Sequence, residues 1–158
     1  MELKELMAAF AAEAGAEGCA PDEKGAYNLE IDGIEMMIRP VGDGTLVVTY
    51  ADLGEPPEEG REQLYRAMLE ASFPAAGTAT AALSIDNRTG RICLHRIESL
   101  AAADYAAFRA SIEAFVNVAD GWRRQLASFP STFSLVKDVV DKAEAESRSM
   151  TLNGFIQV

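Results

Sequence analysis

The side chains that could carry out acid–base or nucleophilic chemistry are few in this chain. His95 is its only histidine, and it lies in an alternating, strand-like run without a cysteine or carboxylate at the spacing of a metal site. As a general base, His95 would need a nucleophile and an orienting group, which the neighbouring sequence does not supply. We therefore interpret His95 as a structural or surface residue.

The two cysteines, Cys19 and Cys93, are far apart in the sequence and form no CxxC pair. Neither has a basic or helix-N-terminal neighbourhood that would favour the thiolate, so the sequence predicts no catalytic thiol and no redox pair. Cys19 falls in a loop and Cys93 in a predicted strand, which makes a reduced, cytosolic compartment the simpler inference.

Two short loops look like ligand-binding loops but lack the residues that define them. Gly42-Asp43-Gly44 joins a strand to a strand and has no Lys-Ser/Thr continuation, unlike a phosphate loop. The run from Asp86 to Gly90 begins like a calcium loop, but its third and fifth positions lack carboxylates and Ile97 occupies the twelfth. The sequence thus predicts no catalytic residue, no metal and no cofactor.

Length and charge restrict the class of partner. The 158 residues fit one main domain, and 25 acidic against 14 basic side chains give a formal charge of −11. Nucleic acid and anionic membranes repel such a surface. The N-terminus lacks the basic region of a signal peptide, and no run approaches the roughly 20 apolar residues that span a bilayer. We expect a cytoplasmic protein that binds neither nucleic acid nor membrane.

The periodicity of apolar residues predicts the order helix, three strands, helix, two strands, long helix. This order is typical of an α+β fold with helices packed on an antiparallel, twisted sheet. A first helix is predicted over residues 2–14. Asp32-Gly33 then separates two alternating runs, which predicts a hairpin with a type I′ turn that places Ile31 opposite Ile34.

The second strand of this hairpin is apolar on both faces. Met36 and Met37 are consecutive, so one of them must point away from the face that carries Ile34 and Ile38. Such a strand is either covered on both sides or binds a partner.

The later part of the chain contains a second helix, a second hairpin and a long third helix. The second helix follows from the stripe of Leu64, Tyr65, Met68, Leu69 and Phe73 before Pro74, and the third extends from Ala101 to just before Pro130. Residues 131–158 are predicted to form an amphipathic helix and a tail that extend a domain of residues 1–130.

Several strings along residues 1–128 resemble one known family. They are the first helix with Leu6, Phe10 and Gly15, Leu29-x-Ile31-Asp32-Gly33, the run from Leu64 to Phe73, Ala82-Leu83-Ser84-Ile85-Asp86 with Gly90 to Leu94, and the stripe of Tyr105, Phe108, Ile112, Phe115, Ala119 and Trp122. Together they resemble the type III secretion chaperones of the CesT/Tir-chaperone kind.

The resemblance implies a small, acidic, cytoplasmic homodimer without enzymatic activity, which keeps the N-terminal segment of a secreted effector soluble and export-competent. It implies a dimer interface largely on the second helix, at Leu64, Tyr65, Met68, Leu69 and Phe73. It also implies that the effector wraps over apolar patches of the first helix and the sheet, which would include Leu3, Leu6, Phe10, Ile34, Met36, Met37 and Ile38.

Two alternatives remain open at the level of sequence. The first is a cytosolic α+β regulatory or protein-interaction domain that is unconnected to secretion. The second is a small hydrolase or transferase, which would require a pocket that brings His95 near Cys93, Asp104 or another partner.

Overall fold

The computed structural model describes residues 2–14, 19–73, 77–101 and 104–129. The elements are α1 (Leu3–Ala14), β1 (Tyr27–Ile31), β2 (Ile34–Val41), β3 (Leu46–Gly54), α2 (Arg61–Ala71), β4 (Ala82–Ile85), β5 (Ile92–Ser99) and α3 (Tyr105–Ser128). The predicted α+β class and element order are confirmed. The predicted helix and tail over residues 131–158 lie outside the described residues, so the proposed domain boundary at residue 130 stays a prediction.

The five strands form one sheet in the order β1-β2-β3-β5-β4, and every neighbouring pair is antiparallel. β1 and β4 are therefore the edge strands. The outer edge of β4 borders the end of α2, because the Leu83 amide donates a hydrogen bond to Ser72 Oγ at 3.4 Å. Within the described ranges, no strand pairs with the outer side of β1.

The turn between β1 and β2 has the geometry that its sequence predicts. Asp32 and Gly33 both adopt positive φ, at 51° and 73°, as a type I′ turn requires, and Ile31 pairs with Ile34. Side chains alternate from this fixed point along β2, so Met36 is buried on the core face and Met37 lies on the opposite face. The prediction that the two methionines point in opposite directions is confirmed.

The core lies between one face of the sheet and the helices. Phe115 of α3 is fully buried, and its ring lies 5.4 Å from the guanidinium of Arg96, a residue of β5. Glu13 connects α1 to α3, because its carboxylate accepts a hydrogen bond from Tyr105 Oη and forms an ion pair with Arg109 at 3.0 Å. These contacts hold both helices over the buried face of the sheet.

Several boundaries differ from the prediction: α2 ends at Ala71, before Phe73, and the bounds of β3 and α3 differ for local reasons. The β-branched run predicts a third strand over residues 45–50, but β3 continues to Gly54, because the alternation extends through the buried side chains of Ala51 and Leu53. α3 begins at Tyr105 instead of Ala101, where the Asp104 carboxylate caps the first turn by accepting a hydrogen bond from the Ala107 amide at 2.8 Å.

Candidate partner-binding surface

The sheet face opposite the core carries apolar side chains that remain partly exposed. Met37 of β2, Tyr50 of β3 and His95 of β5 follow one another across neighbouring strands of this open face. Farther along the same face, Ile97 and Leu46 are 60% and 39% exposed. Exposed apolar surface of this kind is a common feature of protein-binding sites.

One end of the open face forms a broad groove of about 970 Å³. Its apolar floor includes Met37, Tyr50 and Cys93. The groove is edged by four carboxylates and one guanidinium, which belong to Glu30, Glu35, Asp52, Asp86 and Arg88. We call this feature the acidic groove.

Two of the four carboxylates in the acidic groove have cationic partners. Asp52 accepts a hydrogen bond from Arg91 Nε at 2.6 Å, and Asp86 pairs with Arg88 at 3.4 Å. Hydrogen bonds from the Arg88 amide and side chain lower the pKa of Asp86, so this carboxylate is bound within its own turn. The remaining carboxylates, Glu30 and Glu35, form no ion pair with any described residue.

Two hydrogen bonds between side chains lie on the open face. Tyr50 Oη and Cys93 Sγ are 2.9 Å apart, and Ser84 Oγ lies 3.1 Å from His95 Nδ1. The second distance would suit a nucleophile and its base, which is the observation that the enzyme alternative required. However, no described carboxylate forms a hydrogen bond with His95, so the orienting group of a triad is missing from this part of the chain. Both residues also lie in the β4–β5 ladder, whose backbone groups pair with each other.

The folded environment favours the protonated forms of Tyr50 and Cys93. Burial raises the pKa of the Cys93 thiol above its ordinary value of 9.0. Burial and the hydrogen bond with Cys93 likewise raise the pKa of Tyr50. The structure thus agrees with the prediction that Cys93 is not activated as a thiolate.

These raised pKa values predict that the protein loses stability in alkaline solution. Above about pH 9, unfolded Cys93 and Tyr50 release protons that the folded chain still holds, so the free energy of unfolding decreases with pH. Urea titrations between pH 7.5 and pH 10.5 would measure this decrease. Since other groups shift in the same direction, the decisive comparison is with Tyr50→Phe, whose profile should be less steep. Equal slopes would contradict the prediction.

Among the described residues, no group of three or more histidine, cysteine, aspartate and glutamate side chains could hold a metal ion. None of the described helices combines the length and apolar character that crossing a bilayer requires.

The second candidate surface is the outer side of α2. The predicted stripe divides into two sides, because Leu64 and Met68 are buried within the protomer and Tyr65 is half-buried. By contrast, Leu69 and Phe73 are 72% and 83% exposed. Leu69 lies in the last turn of α2, and Phe73 follows two residues after the helix ends at Ala71. We call these two exposed apolar side chains the α2 patch.

The residues predicted to contact an effector divide in the same way. Five of them are 0–7% exposed and belong to the core, namely Leu3, Leu6, Ile34, Met36 and Ile38. Only Phe10 and Met37 present accessible surface. The contact of these seven residues with an effector stays a prediction.

Glu30 and Glu35 were missed among the candidate residues, although the sequence contained a signal for them. A two-residue turn that pairs Ile31 with Ile34 must also place Glu30 opposite Glu35, and this is the observed register. Arg96 was missed as well. No local pattern distinguishes this buried arginine from an exposed one.

An α+β sheet with an apolar open face, an acidic groove and an exposed apolar helix patch is built like a protein-binding domain. The sequence model of the Tir chaperone protein (CesT) family matches residues 5–123, and the chain belongs to this family. The resemblance derived from the sequence strings is therefore confirmed. The family is one of non-enzymatic secretion chaperones.

Solved structures share the fold at low sequence identity. The structure of the ExsC–ExsE complex superposes with a TM-score of 0.65 at 22% identity, covering 80% of this chain and 97% of the other. The HopA1–SchA chaperone–effector complex gives 0.64 at 16% identity, covering 77% and 92%. The Yersinia pestis type III secretion chaperone SycH, in complex with a YscM2 fragment, gives 0.58 at 18% identity, covering 74% and 96%. No curated protein matches the chain in sequence.

Proposed function

We propose that this protein is a type III secretion chaperone, which binds the N-terminal segment of a secreted effector and keeps it soluble and export-competent. The observation that carries the proposal is the family match over residues 5–123. The three similar structures named above are all complexes, namely ExsC–ExsE, the HopA1–SchA chaperone–effector complex and SycH with a YscM2 fragment. We further propose that the protein is cytoplasmic and has no catalytic activity.

The β1 edge and the open face together suit an extended segment of an effector. An added strand can pair its backbone with an edge strand, while pockets on the sheet face select its side chains. Of the two edges, β4 is bordered by α2 through Ser72, whereas no described strand pairs with the outer side of β1. Because ordering a disordered segment costs entropy, a large contact surface is needed to hold it.

We also propose that the protein is a homodimer through the α2 patch. Leu69 and Phe73 are large apolar side chains that are exposed at, and just beyond, the C-terminal end of α2. A two-fold axis beside α2 would pack each patch against its own copy and bury both. Arg66 and Glu70 form an exposed ion pair on the same helix, which would lie at the polar rim of such an interface.

The proposed function is tested by capturing the bound segment. Tagged full-length protein would be purified from the cytosol of a strain with an active type III apparatus, and the complex would be digested with protease. We expect one secreted protein whose N-terminal segment is protected. A Met37→Asp variant should capture about tenfold less of it, because burying a charge on the open face is costly.

The matched control is Ala110→Asp, which places the same charge on an exposed position of α3. This variant should capture as much of the secreted protein as the native chain does. Recovery of only folded, non-secreted proteins would contradict the chaperone function and would favour the alternative of a regulatory interaction domain.

A further inference from the structure

The acidic groove carries information about the chemistry of the segment that binds there. We propose that it takes a basic, amphipathic stretch of the effector, whose lysine or arginine side chains pair with Glu30 and Glu35 while an apolar neighbour packs on Met37 and Tyr50. This inference rests on the proposed function and specifies the chemical class of the partner segment.

The strongest observation is the opposition of two like charges. Glu30 and Glu35 are direct partners in the β1–β2 register, both exposed on the open face. Carboxylates directly opposite each other destabilise a strand pair, since their Cβ atoms are only about 5 Å apart. A cation seated between them would remove the repulsion and form two ion pairs at once.

No lysine or arginine in the described part of the chain forms an ion pair with Glu30 or Glu35. Arg88 and Arg91 are engaged by Asp86 and Asp52 at the far side of the groove. Arg39 shares the face of Glu35 but stands four residues along β2, a separation of roughly 13 Å. The carboxylates of the groove without an ion pair to a described residue therefore lie at its β1–β2 end, next to the outer side of β1.

The dimensions of the groove suit a short extended chain. Its lining residues come from all five strands and from the turn after β4, so it crosses the whole sheet. Four spacings between strands cover about 19 Å, which roughly six residues of extended chain would span. Because side chains alternate along an extended chain, about half of those of the bound segment would face the apolar floor of the groove and the carboxylates that edge it.

Charge complementarity selects a foreign basic segment over this chain's own residues. A second copy would bring an identical acidic groove and an overall formal charge of −11. Residues 131–158 contain three basic and four acidic side chains, so they offer no excess of cations. A segment with several lysine or arginine residues is the complementary occupant.

The test uses two labelled ten-residue peptides, one of alternating lysine and valine and one of alternating glutamate and valine. Fluorescence anisotropy with the full-length protein should detect binding of the lysine peptide alone. The Glu30→Gln/Glu35→Gln variant should bind it about five- to tenfold more weakly in 50 mM salt, as expected from two exposed ion pairs. In 500 mM salt the difference should shrink to within about twofold, because salt screens the pairs.

The matched control is Glu58→Gln/Glu59→Gln, which removes the same charge from two exposed residues outside the groove. This variant should retain affinity within about twofold, since its charges are not paired with the peptide. A Met37→Ser variant should weaken binding similarly at both salt concentrations, because an apolar contact is not screened. The inference would be overturned if the two peptides bound equally well. It would also be overturned if Glu30→Gln/Glu35→Gln and Glu58→Gln/Glu59→Gln lost the same affinity for the lysine peptide.

Binding measurements with the captured effector segment distinguish failure of this inference from failure of the proposed function. If the segment binds the native protein and Glu30→Gln/Glu35→Gln with equal affinity, the groove inference is wrong and the chaperone function stands. If no secreted protein is captured while lysine-peptide binding still depends on Glu30 and Glu35, the groove stands as a basic-segment site and the chaperone function is wrong.

Discussion

The double variant Leu69→Asp/Phe73→Asp is expected to sediment as a monomer at concentrations where the native protein is a dimer. The two side chains are 72% and 83% exposed on the protomer, so aspartate is tolerated there without disturbing the core. In a dimer both residues would be buried, and each substitution removes at least about 1.5 kcal/mol of apolar burial. The dissociation constant of the dimer should therefore increase by at least about 100-fold.

The control for this experiment introduces the same two charges on another helix. Ala110→Asp/Asn117→Asp changes two exposed positions of α3 and should keep the native dimer mass. Leu64 and Met68 are unsuitable test positions, because they are only 3% and 4% exposed and aspartate would disrupt the protomer itself. A dimer mass retained by the α2 variant, or lost by both variants, would contradict the assignment of the α2 patch to the interface.

The second large effect is a loss of stability, which is expected when Arg96, the buried arginine of β5, is replaced. Arg96 is 5% exposed, donates a hydrogen bond from Nη2 to the Ser111 carbonyl at 2.6 Å, and pairs with Glu98 at 3.2 Å. Arg96→Met keeps an unbranched apolar stem beneath Phe115 but leaves the Glu98 carboxylate and the Ser111 carbonyl without their cation. The free energy of unfolding should decrease by about 2–3 kcal/mol, below the usual cost of breaking a buried pair because Glu98 is partly exposed.

Two further variants test the physical cause of this loss. Arg96→Met/Glu98→Gln should recover about 1 kcal/mol, because it removes the carboxylate that lost its partner. Arg88→Met breaks an exposed ion pair and should change stability by less than about 0.5 kcal/mol. Urea denaturation at a fixed protomer concentration measures all three, since dimerisation would make stability concentration-dependent. A loss in Arg96→Met no larger than in Arg88→Met would contradict the role of the buried ion pair.

Much of the sheet could be predicted because its signals are local. Asp-Gly is a pair of residues that tolerates positive φ at both central turn positions, so Asp32-Gly33 fixed the turn type and the register of β1 against β2. Alternation then assigned Met36 and Met37 to opposite faces without any knowledge of the helices. The family resemblance followed from the same local strings.

The candidate surfaces were less predictable, because exposure depends on distant parts of the chain. Leu64, Met68, Leu69 and Phe73 have similar hydrophobicity, and helical periodicity placed them on one broad stripe. Which of them faces the protein depends on where α2 lies beside β4, a contact between segments that the sequence pattern does not encode. The same limitation applied to Ile34 and Ile38, which were candidates for partner contact and are core residues.

By itself, then, the sequence determined the order of elements, the β1–β2 hairpin, the family and, through that hairpin, the opposition of Glu30 and Glu35. Only the tertiary structure decided which residues of the α2 stripe are buried and which are exposed, and that Arg96 is buried beneath Phe115. It also placed Asp52 and Asp86 across the sheet from those two glutamates. The physical reason is the range of the interactions involved. Turn conformation and side-chain alternation are set by neighbouring residues, whereas burial and charge juxtaposition depend on strands and helices that meet only when the chain folds.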